Sequence, residues 1–453
     1  MISHSFGPAR VPSPEDCRDA LTKGLGRARL WAGEKRLDLD ETVQTCIQDL
    51  RYDRQFEDGR ASWIWTLLET AGYVDECAES VWQAFQKPLG EFDASQQICE
   101  LAMRFSLLGH ERFTDRLFAA VRDNPIDGDL TLGEYQLLVC GGIEGFDTAA
   151  RKRGKRLDES EWDWDDDRFI EDASEIFGRN TVVKRLAQSA DTDIIRFNDQ
   201  RELRASKVDD GGKRETHRER VRKIAVEDIL RAAKSEERCY WFRSWGMHAD
   251  QCDVDRVFEH TLQCGEENEI SRLLRVFMRR ELPRVDPILF QWCESIDEDL
   301  KCIAFRALEG NTHPDIRDFG LECLGSGDVC HALELLTQNY HAGDEHRIEA
   351  SLVVPDDADE CHTLLFSCSS FLKRNESADA ERLALLIYQE NPCSLCRTSA
   401  VKLLMRQGKV PSWMLDEIRF DCDSSTRELF YPQSNQNCPL IESRLIELRA
   451  MHS

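Results

Sequence analysis

Apolar side chains recur at intervals of three and four residues along most of this chain, which is the pattern of amphipathic helices. Over residues 60–71, for example, Ile64, Leu67 and Leu68 fall on one helical face, and Gly72 follows as a residue that commonly ends helices. The pattern predicts an all-α protein built from short helices that are joined by brief turns.

Several helix boundaries are marked by capping residues. Ser13 precedes Pro14 and two acidic residues, Glu15 and Asp16, so we expect a helix to start near residue 14. Similar punctuation and spacing predict further helices over residues 74–87, 95–108, 110–123, 169–189 and 217–233.

One helical phrase is nearly repeated, over residues 300–308 and 396–404, and a weaker copy covers residues 316–324. In both strong copies a base, a small residue, a second base and a final leucine stand at the same offsets: Lys301, Ala304, Arg306 and Leu308, then Arg397, Ala400, Lys402 and Leu404. Helices that share one sequence pattern indicate a stacked repeat structure, because a single helical hairpin cannot bury its apolar face whereas a row of hairpins can.

The stretches over residues 297–340 and 391–407 resemble HEAT or HEAT-like repeats. Arg317, which follows His313-Pro314-Asp315, resembles the Arg and Asp that such repeats place near the turn between their helices. The resemblance implies a HEAT-like helical-hairpin solenoid, a superhelix whose concave face holds a partner protein.

Charge and composition divide the 453 residues into three parts. Residues 1–146 carry a net charge of −10 and are expected to form an N-terminal helical array. Residues 147–235 are neutral and read as a charged insertion with helices and a flexible loop around residues 207–219. Residues 236–453 carry −16 and are expected to form a C-terminal HEAT-like array.

The total charge of −26 disfavours binding to nucleic acid or to anionic membranes by the chain as a whole. We expect a cytoplasmic protein, because no signal-peptide pattern and no run of eighteen apolar residues is present. The 18 cysteines are scattered through helical patterns, which indicates reduced thiols rather than a disulfide framework.

The sequence lacks the common catalytic signatures, including the phosphate-binding loop, the dinucleotide fingerprint, the nucleophile elbow and the His-Glu-x-x-His zinc motif. We therefore expect neither an enzyme nor a bound cofactor.

A zinc site is the alternative that we weigh against this expectation. His248 and Cys252 are followed by His260 and Cys264 at the same spacing, and four such ligands could close a tetrahedral site in a zinc-dependent enzyme or regulator. We favour ordinary packing or capping roles for these residues, because the first pair spans a predicted turn and its side chains are expected to point in different directions. Cys393 and Cys396 form a single Cys-x-x-Cys at a helix start, where a thiol pKa falls, but no second pair accompanies them.

A basic run over residues 151–156 raises a third possibility, which is contact with nucleic acid. The acidic stretch over residues 161–167 would compete for it, and its spacing departs twice from that of a calcium-binding loop, at Arg168 and Ser174.

The function favoured by these observations is that of a non-catalytic scaffold or adaptor that binds a protein partner, with a basic surface on the partner matching the acidic chain. As partner-binding residues we predict Arg306, Arg317 and Lys402 on the repeat helices and the aromatic residues Trp241 and Trp245.

Overall fold

The computed structural model describes residues 6–53, 59–88, 94–123, 132–159, 168–206, 217–235, 239–430 and 439–452. These residues form 27 α-helices and one 3-10 turn, Arg275–Phe277, and they contain no strand. The prediction of an all-α protein is confirmed. None of the helices in these ranges combines the length and apolar character that crossing a bilayer requires.

The contacts group the chain into two compact units. The first unit consists of residues 7–210 and 411–453, and the second unit consists of residues 1–6 and 211–410. This grouping into two units does not test the predicted division into residues 1–146, 147–235 and 236–453, which stays a prediction.

The helices of the first unit are α1 Pro14–Lys23, α2 Arg27–Gly33, α3 Leu39–Ile47, α4 Arg60–Ala71, α5 Val74–Phe85, α6 Ser95–Leu107, α7 Glu111–Asp123, α8 Glu134–Glu159, α9 Arg168–Phe177, α10 Arg179–Ala187, α11 Thr192–Ser206, α25 Ser412–Ile418, α26 Ser424–Glu428 and α27 Pro439–His452. Those of the second unit are α12 His217–Arg222, α13 Val226–Ser235, α14 Phe242–His248, α15 Gln251–Gln263, α16 Glu267–Leu274, α17 Ile288–Cys293, α18 Glu298–Glu309, α19 Pro314–Ser326, α20 Val329–Gln338, α21 Asp344–Ser351, α22 Ala358–Arg374, α23 Glu381–Glu390 and α24 Ser394–Gln407.

Local signals fix the start of α1. The hydroxyl of Ser13 accepts from the backbone N–H of Asp16, while the Asp16 carboxylate accepts from the backbone N–H of Ser13. Pro14 occupies the first helical position, and Gly24 ends the helix in the left-handed region. The predicted start is confirmed.

Two predicted helices are each divided into two. The helix expected over residues 169–189 breaks at Gly178, whose φ of 83° lies in the region that favours glycine. The helix expected over residues 217–233 is interrupted between α12 and α13. The flexible loop predicted around residues 207–219 lies largely outside the described residues.

Helix contacts in the second unit follow the order of the chain. One row runs from α16 to α18, α20, α22 and α24, with each helix packed on the next. A second row contains α17, α19, α21 and α23, in which Phe290 of α17 meets the edge of Phe319 of α19 at 5.2 Å. Sequential helices also pair between the rows, as in α17 with α18, α19 with α20, and α23 with α24. Residues 267–407 therefore pack as two rows of helices in register with the sequence.

Buried side-chain amides join successive members of the first row. Asn311, just after α18, donates to the Ala307 carbonyl and accepts from the backbone N–H of Leu282 at 2.7 Å. Asn339, just after α20, donates to the carbonyls of Leu335 and Asn311 at 2.8 and 2.9 Å.

The same arrangement continues along the row. Asn375, which follows α22, donates to the carbonyls of Phe371 and Thr337. Gln407, at the end of α24, donates to the Ala378 carbonyl and accepts from the backbone N–H of Ala380. Each of these four amides, which we call the amide ladder, stands three residues after a leucine: Leu308, Leu336, Leu372 and Leu404. Three amides of the ladder satisfy carbonyls at the end of their own helix, and all four bond to a segment earlier in the chain.

In the first unit, residues 411–428 return to the first helices of the chain. The indole N–H of Trp63 donates to the Phe420 carbonyl at 2.8 Å, and the backbone N–H of Cys422 donates to the Gly24 carbonyl at 2.9 Å. A Cβ atom at Gly26 would lie 1.8 Å from the carbonyl oxygen of Glu417, so only glycine permits this approach.

A buried ion pair holds the same contact. The guanidinium Nε of Arg27 lies 3.0 Å from a carboxylate oxygen of Glu417, whose side chain is fully buried. Removing one partner of such a pair leaves an uncompensated charge in the core.

We expect Asn339→Ala to destabilise the second unit by about 2–3 kcal/mol, because it leaves buried carbonyls of two successive hairpins without donors. Urea denaturation combined with hydrogen exchange of α18 and α20 measures the effect. The control is Gln338→Ala, since this neighbouring amide accepts only an exposed hydrogen bond from Arg374. An equal loss in both variants would contradict a structural role for the ladder.

We expect Glu417→Gln to destabilise the first unit by about 3 kcal/mol or more, because Arg27 keeps its charge. The double variant Arg27→Met/Glu417→Leu should recover much of this loss, since it removes both charges together. Denaturation of these variants, with the exposed neighbour Asp416→Asn as the control, tests the ion pair. A double variant as unstable as Glu417→Gln would speak against it.

Candidate functional site

The first helix of the first row, α16, starts without a side-chain cap, but the helix starts that come after it follow a rule with one exception. Asp297, Asp328 and Asp357 precede α18, α20 and α22, and each carboxylate accepts from backbone N–H groups in the first turn. Cys393 occupies the equivalent position before α24. A thiol therefore stands where the other three helices have a carboxylate.

This exception brings three metal-ligating side chains together. Cys396 lies one turn into α24, and His362 lies in the first turns of the adjacent helix α22. The Cys396 sulfur and the Nε2 atom of His362 are 3.6 Å apart. With the Cys393 sulfur, all three donor atoms lie within 4.8 Å of one another. We call these three residues the His362 cluster.

The two thiols are electrostatically unlike. The pKa of Cys393 is lowered because the Cys396 thiol and the backbone N–H groups of Cys396 and Leu395 donate towards its sulfur. The pKa of Cys396 is raised because it shares its proton with Cys393 and is buried. Cys396 therefore holds a proton more tightly than Cys393 does.

Other buried cysteines lack this environment. Burial raises the pKa of Cys323 to about 11 and also raises the pKa of Cys293 and Cys368. Cys361, next to His362 in sequence, donates its S–H to the Glu390 carbonyl at 3.5 Å. These thiols behave as small apolar side chains. The His362 cluster instead offers sulfur and imidazole ligands that suit a soft metal ion, and thiols that could take part in thiol exchange.

The four metal ligands weighed from the sequence do not meet. His248 ends α14, whereas Cys252 lies in the first turn of α15 and is exposed. The Nε2 atom of His260 lies 3.1 Å from Glu269, and Cys264 directs its S–H towards the Glu266 carbonyl. Within the described residues, the His362 cluster is the one group that unites three or more donor atoms of this kind.

The predicted partner residues fall into two classes. Arg306 and Lys402 are exposed on α18 and α24. Arg317 donates to both Asp344, at 2.6 Å, and the Asn339 carbonyl, so it joins α19 to the start of α21. Trp241 is half-buried against Phe242. Trp245 is 1% exposed, with its indole N–H donating to the Ile224 carbonyl, and it therefore packs in the core.

Much of the basic run over residues 151–156 is engaged within the first unit. Arg151 pairs with Asp191 at 2.6 Å, and Arg153 forms a buried pair with Glu134 at 2.7 Å. Burial lowers the pKa of Lys152 to about 8. These three cations are therefore poorly placed to contact phosphate. The acidic stretch over residues 161–167 lies outside the described residues.

Sequence analysis found the two cysteines of the His362 cluster but missed His362. The imidazole comes from another helix, 31 residues before Cys393, so no local spacing marks it. Asp297, Asp328 and Asp357 precede three helices of the first row, whereas Cys393 precedes α24. This difference can be read from the sequence.

Comparison with known proteins returned no family model, no curated protein and no solved structure that matches this chain.

A carboxyl group near Arg306 has an unusual proton affinity. Burial raises the pKa of Glu334 from 4.5 to about 7, with Glu309 and Asp328 adding to the shift and His331 and Arg306 opposing it. The folded chain therefore keeps a proton on Glu334 that the unfolded chain releases between these two pH values.

We expect this proton to make stability depend on pH. The folded form gains from protonated Glu334 below about pH 4.5, and this gain disappears as the pH rises through about 7. Glu334→Gln should therefore flatten the loss of unfolding free energy across that window. Denaturation of both proteins across it is the measurement, and the exposed Glu322→Gln is the control. An unchanged slope in Glu334→Gln would refute the assignment.

Proposed function

We propose that this chain is a cytosolic, non-catalytic scaffold of HEAT-like helical hairpins that binds a protein partner. The observation that carries the proposal is the packing of residues 267–407 as two rows of helices in the order of the sequence. In a solenoid each repeat contacts its neighbours in sequence, and the outward faces of a row form an extended binding surface.

The amide ladder and Arg317 support the solenoid interpretation. Both connect a hairpin to its neighbour in sequence, through Asn339 to Asn311 and through Arg317 to Asp344. An interaction that recurs from hairpin to hairpin is what a repeat architecture requires, since each hairpin is stabilised by the next.

Charge on the second row indicates the chemistry of the partner. A cleft of about 220 Å³ between α21 and α23 is lined by four carboxylates, by two basic residues and by three apolar residues: Glu345, Glu349, Asp379 and Glu381, then His346 and Arg382, then Phe6, Leu383 and Leu385. Arg382 and Lys409 offset part of this charge by pairing with Glu349 and Asp379. A basic segment with an apolar residue complements such a cleft in charge and in polarity.

The first row offers a different surface. Arg306 and Lys402 are exposed there, together with the apolar side chains of Phe366 and Leu395, which are 51% and 39% exposed. Charge variants of each row can be compared directly.

The experiment is affinity purification of the full chain from its native cell, followed by cross-linking mass spectrometry of the purified complex. We expect a stoichiometric partner protein whose cross-links fall on helices of residues 267–407. Glu381→Lys should weaken binding by about tenfold or more if a basic segment occupies the cleft, whereas Arg306→Glu/Lys402→Glu should have little effect.

Glu111→Lys, at an exposed position at the start of α7 in the first unit, is the matched control for charge reversal. Binding that depends on the Arg306/Lys402 pair instead would keep the scaffold but reverse the charge of its partner. A chain that is recovered alone, or cross-links confined to the first unit, would overturn the proposal.

A further inference from the structure

The His362 cluster has a function that the scaffold does not require. We propose that His362, Cys393 and Cys396 bind one zinc ion through the Nε2 atom and the two sulfur atoms. This inference is independent of the proposed partner binding, because it rests on a separate set of side chains.

The spacing of the donor atoms fits a tetrahedral ion. Zinc bonds of about 2.3 Å to sulfur and about 2.0–2.1 Å to nitrogen separate a sulfur and a nitrogen ligand by about 3.5–3.6 Å. The Cys396 sulfur and the His362 Nε2 atom are 3.6 Å apart. In a tetrahedral zinc site two sulfur ligands are about 3.8 Å apart. The sulfur atoms of Cys393 and Cys396 lie within 4.8 Å of each other, which is compatible with that distance.

The donors come from elements that the fold already holds in place. Helices α22 and α24 are neighbours in the first row, and the amide ladder fixes the ends of both. The backbone N–H of Cys393 donates to the Asn391 side chain at 2.9 Å, which orients the segment before α24. Both cysteines are only 6% exposed, so their sulfurs are held within the protein. Ligands on supported elements of this kind form a site before the ion arrives.

The exchange of residues at the helix start is an independent argument. An aspartate at position 393 would cap α24 as Asp297, Asp328 and Asp357 cap their helices. Cysteine is a weaker cap, so α24 lacks the aspartate cap of α18, α20 and α22 at the position where a second cysteine and a histidine lie within reach. Such departures are expected at functional sites.

The donor set selects the ion and leaves one position open. Two thiolates and an imidazole suit Zn²⁺, whereas Mg²⁺ and Ca²⁺ prefer oxygen ligands. Both sulfurs bind as thiolates, and any proton that a thiol carries is released to solvent on binding. Three protein ligands leave the fourth tetrahedral position to a water molecule or to a donor from another molecule. Leu395, between the cysteines, and Phe366, whose ring lies 5.9 Å from that of His362, place exposed apolar groups beside the cluster.

The test uses the full chain, purified under reducing conditions, stripped with a chelator and titrated with Zn²⁺ alone. We expect one zinc per chain by elemental analysis after gel filtration. Titration with Co²⁺ should give the visible bands of a tetrahedral site and a thiolate charge-transfer band.

Three single variants remove one ligand each: His362→Gln, Cys393→Ser and Cys396→Ser. Each should weaken zinc binding by at least about 100-fold, since even loss of an outer-shell partner costs 10–100-fold. Cys393→Ser is the most informative of the three, because serine caps helices well and should leave α24 folded. Circular dichroism of each variant verifies folding.

Two matched controls keep the zinc site. Cys361→Ser removes the neighbouring thiol that is directed at the Glu390 carbonyl, and His260→Ala removes the histidine that pairs with Glu269. Both should bind zinc as the unmodified chain does. A chain that takes up no zinc, a folded Cys393→Ser/Cys396→Ser variant that binds it undiminished, or zinc lost in His260→Ala would each overturn the inference.

Discussion

The second unit depends on side-chain amides at the ends of its helices, of which two are buried and two are half-buried. The last turn of any helix leaves carbonyl groups without partners, and inside a stack these groups cannot turn to water. Asn311, Asn339 and Asn375 donate to carbonyls in the last turn of their own helices, and Gln407 donates to the Ala378 carbonyl before α23. The same amides also bond to an earlier segment of the chain, so each amide is fully hydrogen-bonded only when that segment is in place. Secondary structure and stacking are thereby coupled through one kind of hydrogen bond.

Local signals in the sequence were sufficient for the helices whose ends carry proline, glycine or a capping residue. The helix Arg60–Ala71 and the start of α1 at Pro14 follow directly from such residues. Gly178 was missed as a break, since apolar spacing continues on both sides of it and only its positive φ interrupts the helix. Periodicity reports which face of a helix is buried, but it does not report where the backbone changes direction.

The site shows a similar division between local and distant information. Cys393 and Cys396 were visible as a pair, because their spacing lies within one helix start. His362 was not visible, since its approach depends on how α22 packs against α24. The spacing of His248, Cys252, His260 and Cys264 was misleading for the converse reason. An interval of four residues brings two side chains together only within one helix, and His248 and Cys252 belong to two.

The return of residues 411–428 to the first helices could not be read from any local pattern either, because its contacts join positions more than 350 residues apart, as between Trp63 and Phe420. It has a consequence for synthesis. The first unit is synthesised as two separate segments, residues 7–210 and residues 411–453. About two hundred residues of the other unit are translated between them. Until residues 411–428 are translated, Trp63 and Gly24 lack the partners that they have in the folded unit. The intervening residues 211–410 are complete before that point and can fold first. Order of folding and order of translation therefore differ in this chain.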